Sequence, residues 1–84
     1  VVALNRAVAI SMRDGPESGL DLIDQLLSSG ELTEYHLSHA ARADMLRRLG
    51  KRKEAAAAYK EALTLARQEP ERRFLERRLK EIAE

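Results

Sequence analysis

Eighty-four residues suffice for one small domain, and 44% hydrophobic residues with only 4% aromatic require a core of Leu, Ala, Val and Ile rather than of rings. The absence of cysteine excludes a disulfide framework, a thiolate metal site and a cysteine nucleophile. The net charge of +1 hides a gradient: through Glu34 the chain carries two basic against six acidic residues, −4 in all, and the remainder carries +5.

No stretch alternates apolar and polar residues as a half-buried strand does, so the expectation is all-α, with about five helices in antiparallel hairpins forming one domain over residues 1–84. No apolar run approaches the roughly 20 residues that span a bilayer, and VVALNRAVAISM is broken by Asn5 and Arg6, so no membrane contact is expected. The chain opens on Val1 without an initiator methionine, directly in a helical pattern, and reads as a C-terminal fragment of something longer.

The first helix is predicted over residues 2–13. Its apolar residues cover nearly the whole circumference, which implies burial on most sides. Val1, Val2, Leu4 and Val8 are therefore read as an apolar contact surface for an upstream segment or for a second copy in an isolated homodimer. Asp14-Gly15-Pro16-Glu17 is a stop and restart, with proline at the first position of the next helix. The second helix runs to about Leu27 with Leu20, Ile23, Leu26 and Leu27 inward and Asp21, Asp24 and Gln25 outward, and Ser28-Ser29-Gly30 ends it. The third, capped near Thr33 or Glu34, continues to Leu49 with Leu37, Ala40, Ala41, Met45, Leu46 and Leu49 as its apolar face and Arg42, Arg47 and Arg48 outward. The fourth covers residues 52–68, and its Ala55, Ala58, Tyr59, Ala62, Leu63 and Ala66 share one face of small residues and one ring. The fifth, 71–83, buries Phe74, Leu75, Leu79 and Ile82 and exposes Arg72, Arg73, Glu76, Arg77, Lys80 and Glu81.

Catalytic motifs are missing. The four glycines are read as turn residues, so no phosphate loop forms, and serines, histidines and aspartates occur without a nucleophile-elbow pattern. His36 and His39 stand one turn apart, yet no further ligand pattern accompanies them, and neither a metal nor another cofactor is expected. The basic cluster Arg42, Arg47, Arg48, Lys51, Arg52 and Lys53 is diluted by Asp44 and Glu54 and has few aromatic neighbours, so direct nucleic-acid contact is not expected. The chain is not read as an enzyme.

Ala43, Leu46, Gly50, Ala55, Tyr59, Ala62, Leu63 and Leu65 resemble one tetratricopeptide repeat, with His39 in its usual aromatic slot and Arg42 where the repeat has leucine. Gly15 and Gly50, 35 residues apart, mark an earlier and more degenerate copy, in which Asp24 falls opposite Tyr59. In such a stack the first helix of each pair lines a concave groove, and the resemblance assigns the partner-binding groove to Asn5, Met12 and Arg13 on the first helix and Asp44, Arg47 and Arg48 on the third. The last helix would cap the stack toward water.

Over almost its whole length the chain is also similar to the C-terminal extension of one group of extracytoplasmic-function RNA polymerase sigma factors, through VVALNRAVA, DGPESGLDLID, YHLSHAARADMLRRLG, EAAAAYKEAL and EPERRFLERRL. That resemblance implies a cytoplasmic, non-catalytic regulatory domain of bacterial transcription initiation, with RNA polymerase, the sigma core regions of the full-length chain or a regulatory protein as partners. The alternative is a free-standing scaffold or adaptor that binds acidic or C-terminal peptides through Arg47 and Arg48.

Overall fold

Helix ends in this protein are set by a few residues whose backbone or ring chemistry stops a helix, and five helices result. The structure, a computed structural model, describes residues 2–83: α1 (Val2–Asp14), α2 (Pro16–Ser28), α3 (His36–Arg48), α4 (Arg52–Leu65) and α5 (Glu69–Ala83). No strand occurs among the described residues. The α2 and α3 ends share one geometry. Gly30 (φ 87°) and Gly50 (φ 80°) turn left-handed, so that Glu31 N–H reaches back to the Leu26 carbonyl at 3.0 Å and Lys51 N–H to that of Leu46 at 2.9 Å. Each bond satisfies a carbonyl that the helix end leaves open, and a side chain at either glycine would strain the turn.

The helices pair as hairpins, α1 with α2 and α3 with α4; α2 packs on α3, α5 packs on α4, and α1 also touches α3. The small face of α4 enters the centre, with Ala55, Ala58 and Ala62 buried and the Tyr59 ring 1% exposed among them. Leu4 and Ala7 of α1, Leu20 and Ile23 of α2, Ala43, Met45 and Leu46 of α3 and Leu75 of α5 complete one continuous core. Alanines let the backbones approach closely, which suits a domain with few large side chains.

Several expectations are corrected by this arrangement. α1 buries one face, Leu4, Ala7 and Ser11, and leaves Val2 75% and Met12 76% exposed, because only α2 and α3 cover it. α4 ends at Leu65 rather than residue 68, since Ala66 turns extended (φ −73°, ψ 132°) and points its methyl into the core. α5 begins at Glu69, ahead of Pro70, where a missing N–H removes no helical bond. Arg72, expected in solvent, donates from Nη1 to the carbonyls of Leu63 and Ala66 at 3.0 and 3.2 Å and so caps the negative end of α4. Leu37 and Phe74, expected inside, are 43% and 47% exposed and flank a shallow apolar slot of about 280 Å³ beside Ala40 and Pro70. Neither Thr33 nor Glu34 caps α3; Tyr35 holds the N-cap position with no side-chain bond.

Gly19 is the largest departure. It is buried within α2, not at a turn, and a Cβ built there would collide with Ser11 Cβ, sit 2.7 Å from the Ala7 carbonyl oxygen and 3.0 Å from Met45 Cε. At this point α1, α2 and α3 meet, and only glycine fits.

Two of the positions that depart from the repeat pattern, Asp24 and Arg42, compensate for each other. Arg42 Nε donates to Asp24 Oδ1 at 2.7 Å across the α2–α3 junction, so neither side chain is the free outward group that the sequence suggested. The pair is half-exposed and its coupling is modest. In a double-mutant cycle of Asp24→Ala and Arg42→Ala, urea unfolding should return an interaction energy of about 0.5 kcal/mol, shrinking in high salt; strict additivity would show that the contact contributes nothing.

Candidate functional site

One face of α1 and one of α3 diverge enough to leave a groove, which α5 closes at the side. On α3, Ala41, Asp44, Met45 and Arg48 recur at three- and four-residue steps and so project in one stripe. On α1, Val8, Ser11 and Met12 do the same. With Arg47 and Arg78 of α5 these residues enclose about 460 Å³. Val8, Met12, Ala41 and Met45 give it an apolar side, and Asp44 and the three arginines a charged one.

The charged side is tightly arranged. Arg47 Nη2 donates to Asp44 Oδ1 at 2.6 Å, one helical turn away, while its Nε–H is buried without an acceptor. Arg78 Nη1 donates to Glu81 Oε1 at 3.1 Å, its guanidinium carbon lies 5.1 Å from the centre of the Phe74 ring, and its Nε–H is also buried without an acceptor. Beneath them the Tyr59 hydroxyl is buried and makes no well-aligned hydrogen bond. Burial pushes the Tyr59 phenol above its ordinary range, an effect that the adjoining Arg47 partly offsets. Arg47 is in turn held more firmly protonated than usual, first by Asp44 and then by that phenol. Arg47, Arg78 and Asp44 therefore line the charged side, with the buried Tyr59 phenol adjoining Arg47.

Four of the six groove residues assigned from the sequence, Met12, Asp44, Arg47 and Arg48, come together here. Asn5 is exposed one turn further toward the start of α1, outside the lining, and Arg13 is occupied with its neighbour Asp14 at 2.9 Å on the surface. Of the apolar contact surface, Val2 is exposed, but Leu4 is 4% exposed and belongs to the core, and Val8 is half-buried and lines the groove; Val1 lies outside the described residues. Leu4 cannot serve an outside partner without unpacking α1.

Sequence reasoning missed Arg78. A signal existed: Glu71, Leu75, Arg78 and Ile82 are spaced four, three and four apart, the stripe of α5 that faces inward, so an arginine there must either disrupt packing or find a special environment. The two histidines separate. His36 Nε2 lies 2.9 Å from Glu71 Oε2 of α5 without an aligned hydrogen bond, and His39 Nε2–H donates to the Thr33 carbonyl at 2.7 Å. Among the described residues no three histidine or carboxylate side chains gather as a metal site would need. Among the described residues no helix is long and apolar enough to cross a membrane.

No family model matches the chain, and no solved structure matches it. It is 39% identical over 84 aligned residues to an uncharacterized protein of Rhizobium meliloti (strain 1021), a match that covers 99% of this chain and 19% of that protein. The chain thus spans about a fifth of the length of the relative it matches.

Proposed function

We propose that this chain is a non-catalytic regulatory and protein-interaction domain, and that it serves a bacterial extracytoplasmic-function sigma factor in the cytoplasm by contacting RNA polymerase, the sigma core regions or a regulatory protein. The observation that carries the interaction role is the α1–α3–α5 groove, where exposed Met12 and half-buried Val8 lie opposite Arg47, Arg48 and Arg78. An apolar wall beside fixed cations suits a polypeptide partner, whose burial and charge both contribute. The sigma assignment rests on the five sequence strings given above. The length of the relative is in keeping with it, since most of that protein lies outside the matched segment and leaves room for promoter-reading regions.

The reading is tested with purified components. The immobilised chain is expected to retain bacterial core RNA polymerase or separately expressed sigma regions two and four, and Arg48→Glu, which reverses a charge at the exposed rim, should reduce retention several-fold. Retention of neither component sinks the sigma assignment, as would a parent gene that encodes no promoter-binding regions ahead of Val1.

A further inference from the structure

The bonding at the groove floor is incomplete. Arg47 and Arg78 each spend guanidinium protons on a single carboxylate and each keep a buried Nε–H with no acceptor, and Arg48 has no ion-pair partner among the described residues. Asp44 is the one carboxylate among the residues that line the groove. Arg47 and Arg78 line the same groove, one from α3 and one from α5. Donors buried without acceptors are costly, and side chains that can swing to an incoming acceptor recover those bonds.

We infer that the groove takes an acidic peptide segment and that Asp44 is an internal stand-in for the partner's carboxylate: an incoming glutamate or aspartate side chain displaces Asp44 from Arg47 and bridges to Arg78, while the apolar residue beside it lies on Val8 and Met12. The inference deepens the reading of this groove as a partner site and rests on it. Charge decides the class of occupant: three arginines and one carboxylate line the groove, and with Glu81 on Arg78 the balance is still positive. The apolar wall and the lack of an aromatic face in the lining favour a peptide over a nucleic acid, whose bases need a ring to stack on. Exchange is feasible because the Asp44–Arg47 contact is a half-exposed pair one turn apart, a kind of contact that stabilises little. A carboxylate held by two guanidiniums gains more than Asp44 loses.

The test is fluorescence anisotropy on the whole 84-residue chain, with a dye-labelled, C-terminally amidated peptide carrying leucine-glutamate-leucine at its centre. Asp44→Asn should bind it about tenfold more tightly, because the internal competitor is gone while the side-chain shape remains. Arg47→Gln, Arg78→Gln and the same peptide with glutamine in place of glutamate should each weaken binding by about tenfold or more. Loss of affinity in an arginine variant could reflect misfolding, so the gain in Asp44→Asn is the deciding result. Unchanged or weaker binding by Asp44→Asn, equal binding of the glutamine peptide, or displacement of the peptide by an equal concentration of inorganic phosphate or single-stranded DNA would each overturn the inference. Peptide binding is read on this chain alone and the sigma assignment with purified polymerase, so either can fail while the other stands.

Discussion

Gly19→Ala is expected to destabilise the domain by about 1–3 kcal/mol, although alanine is the better helix former. On propensity alone the substitution in the middle of α2 should stabilise by about 1 kcal/mol. The new methyl, however, has no room. Met45 Cε could rotate away from its 3.0 Å approach, but the Ala7 carbonyl oxygen at 2.7 Å is backbone, and Ser11 Cβ stands one carbon off the same helix. Relief requires α1 to move away from α2, and the other helix it packs on is α3, over a smaller contact. A domain of this size loses about 4–8 °C of Tm for each kcal/mol, so thermal unfolding followed by circular dichroism should show a clear drop. Ser11→Gly should restore only part of it, because the carbonyl contact persists. A Tm at or above that of the wild type would mean that α1 and α2 are not pressed together as described.

The contrast between Gly19 and Gly50 shows where the sequence is legible and where it stops. Gly50 follows a run of helix formers and precedes Lys51, Arg52 and Lys53, and local chemistry alone identifies the turn. The same local logic recovers all five helices to within a few residues, because capping, proline and apolar spacing act over one or two turns. Gly19 looks like an isolated weak spot in a helix, and only the crossing of three helices explains it. Arg42 and Asp24 were each legible as departures from the repeat, but a departure becomes a contact only when the hairpins are docked. Arg72 and Phe74 changed places for a related reason: a carbonyl terminus needed a donor, and an exposed ring could pair with a guanidinium, two benefits that apolar periodicity does not weigh. The site followed the same division. Met12, Asp44, Arg47 and Arg48 came from the rule that alternate helices line a groove, whereas Arg78 needed the knowledge that α5 closes its side.

Tyr59 is expected to show a large and separable response. Tyr59→Ala removes the largest fully buried side chain, packed between the alanines of α4 and the helices on either side, and should cost about 3–5 kcal/mol. Small domains sit toward the low end of the usual range of about 5–15 kcal/mol, so the variant should be largely unfolded in modest urea. Tyr59→Phe keeps the ring and removes only a hydroxyl with no aligned partner, so at neutral pH it should stay within about 1 kcal/mol of the wild type. Alkaline pH then separates the two roles. Burial raises the folded phenol above the value of 10.0 that an exposed tyrosine shows, so as pH climbs the unfolded chain releases this proton first. The wild-type stability is thus fully present below about pH 10 and declines as the pH rises through the folded pKa, while in Tyr59→Phe that component of the slope is absent. Arginine guanidiniums stay protonated throughout this window, so the charges of Arg47 and Arg78 do not obscure the comparison. Urea unfolding of both proteins from pH 8 to 11 measures it directly, and parallel curves would show that the hydroxyl reaches solvent. The expected divergence would establish that the ring belongs to the core of the stack while the hydroxyl belongs to the charged floor of the groove.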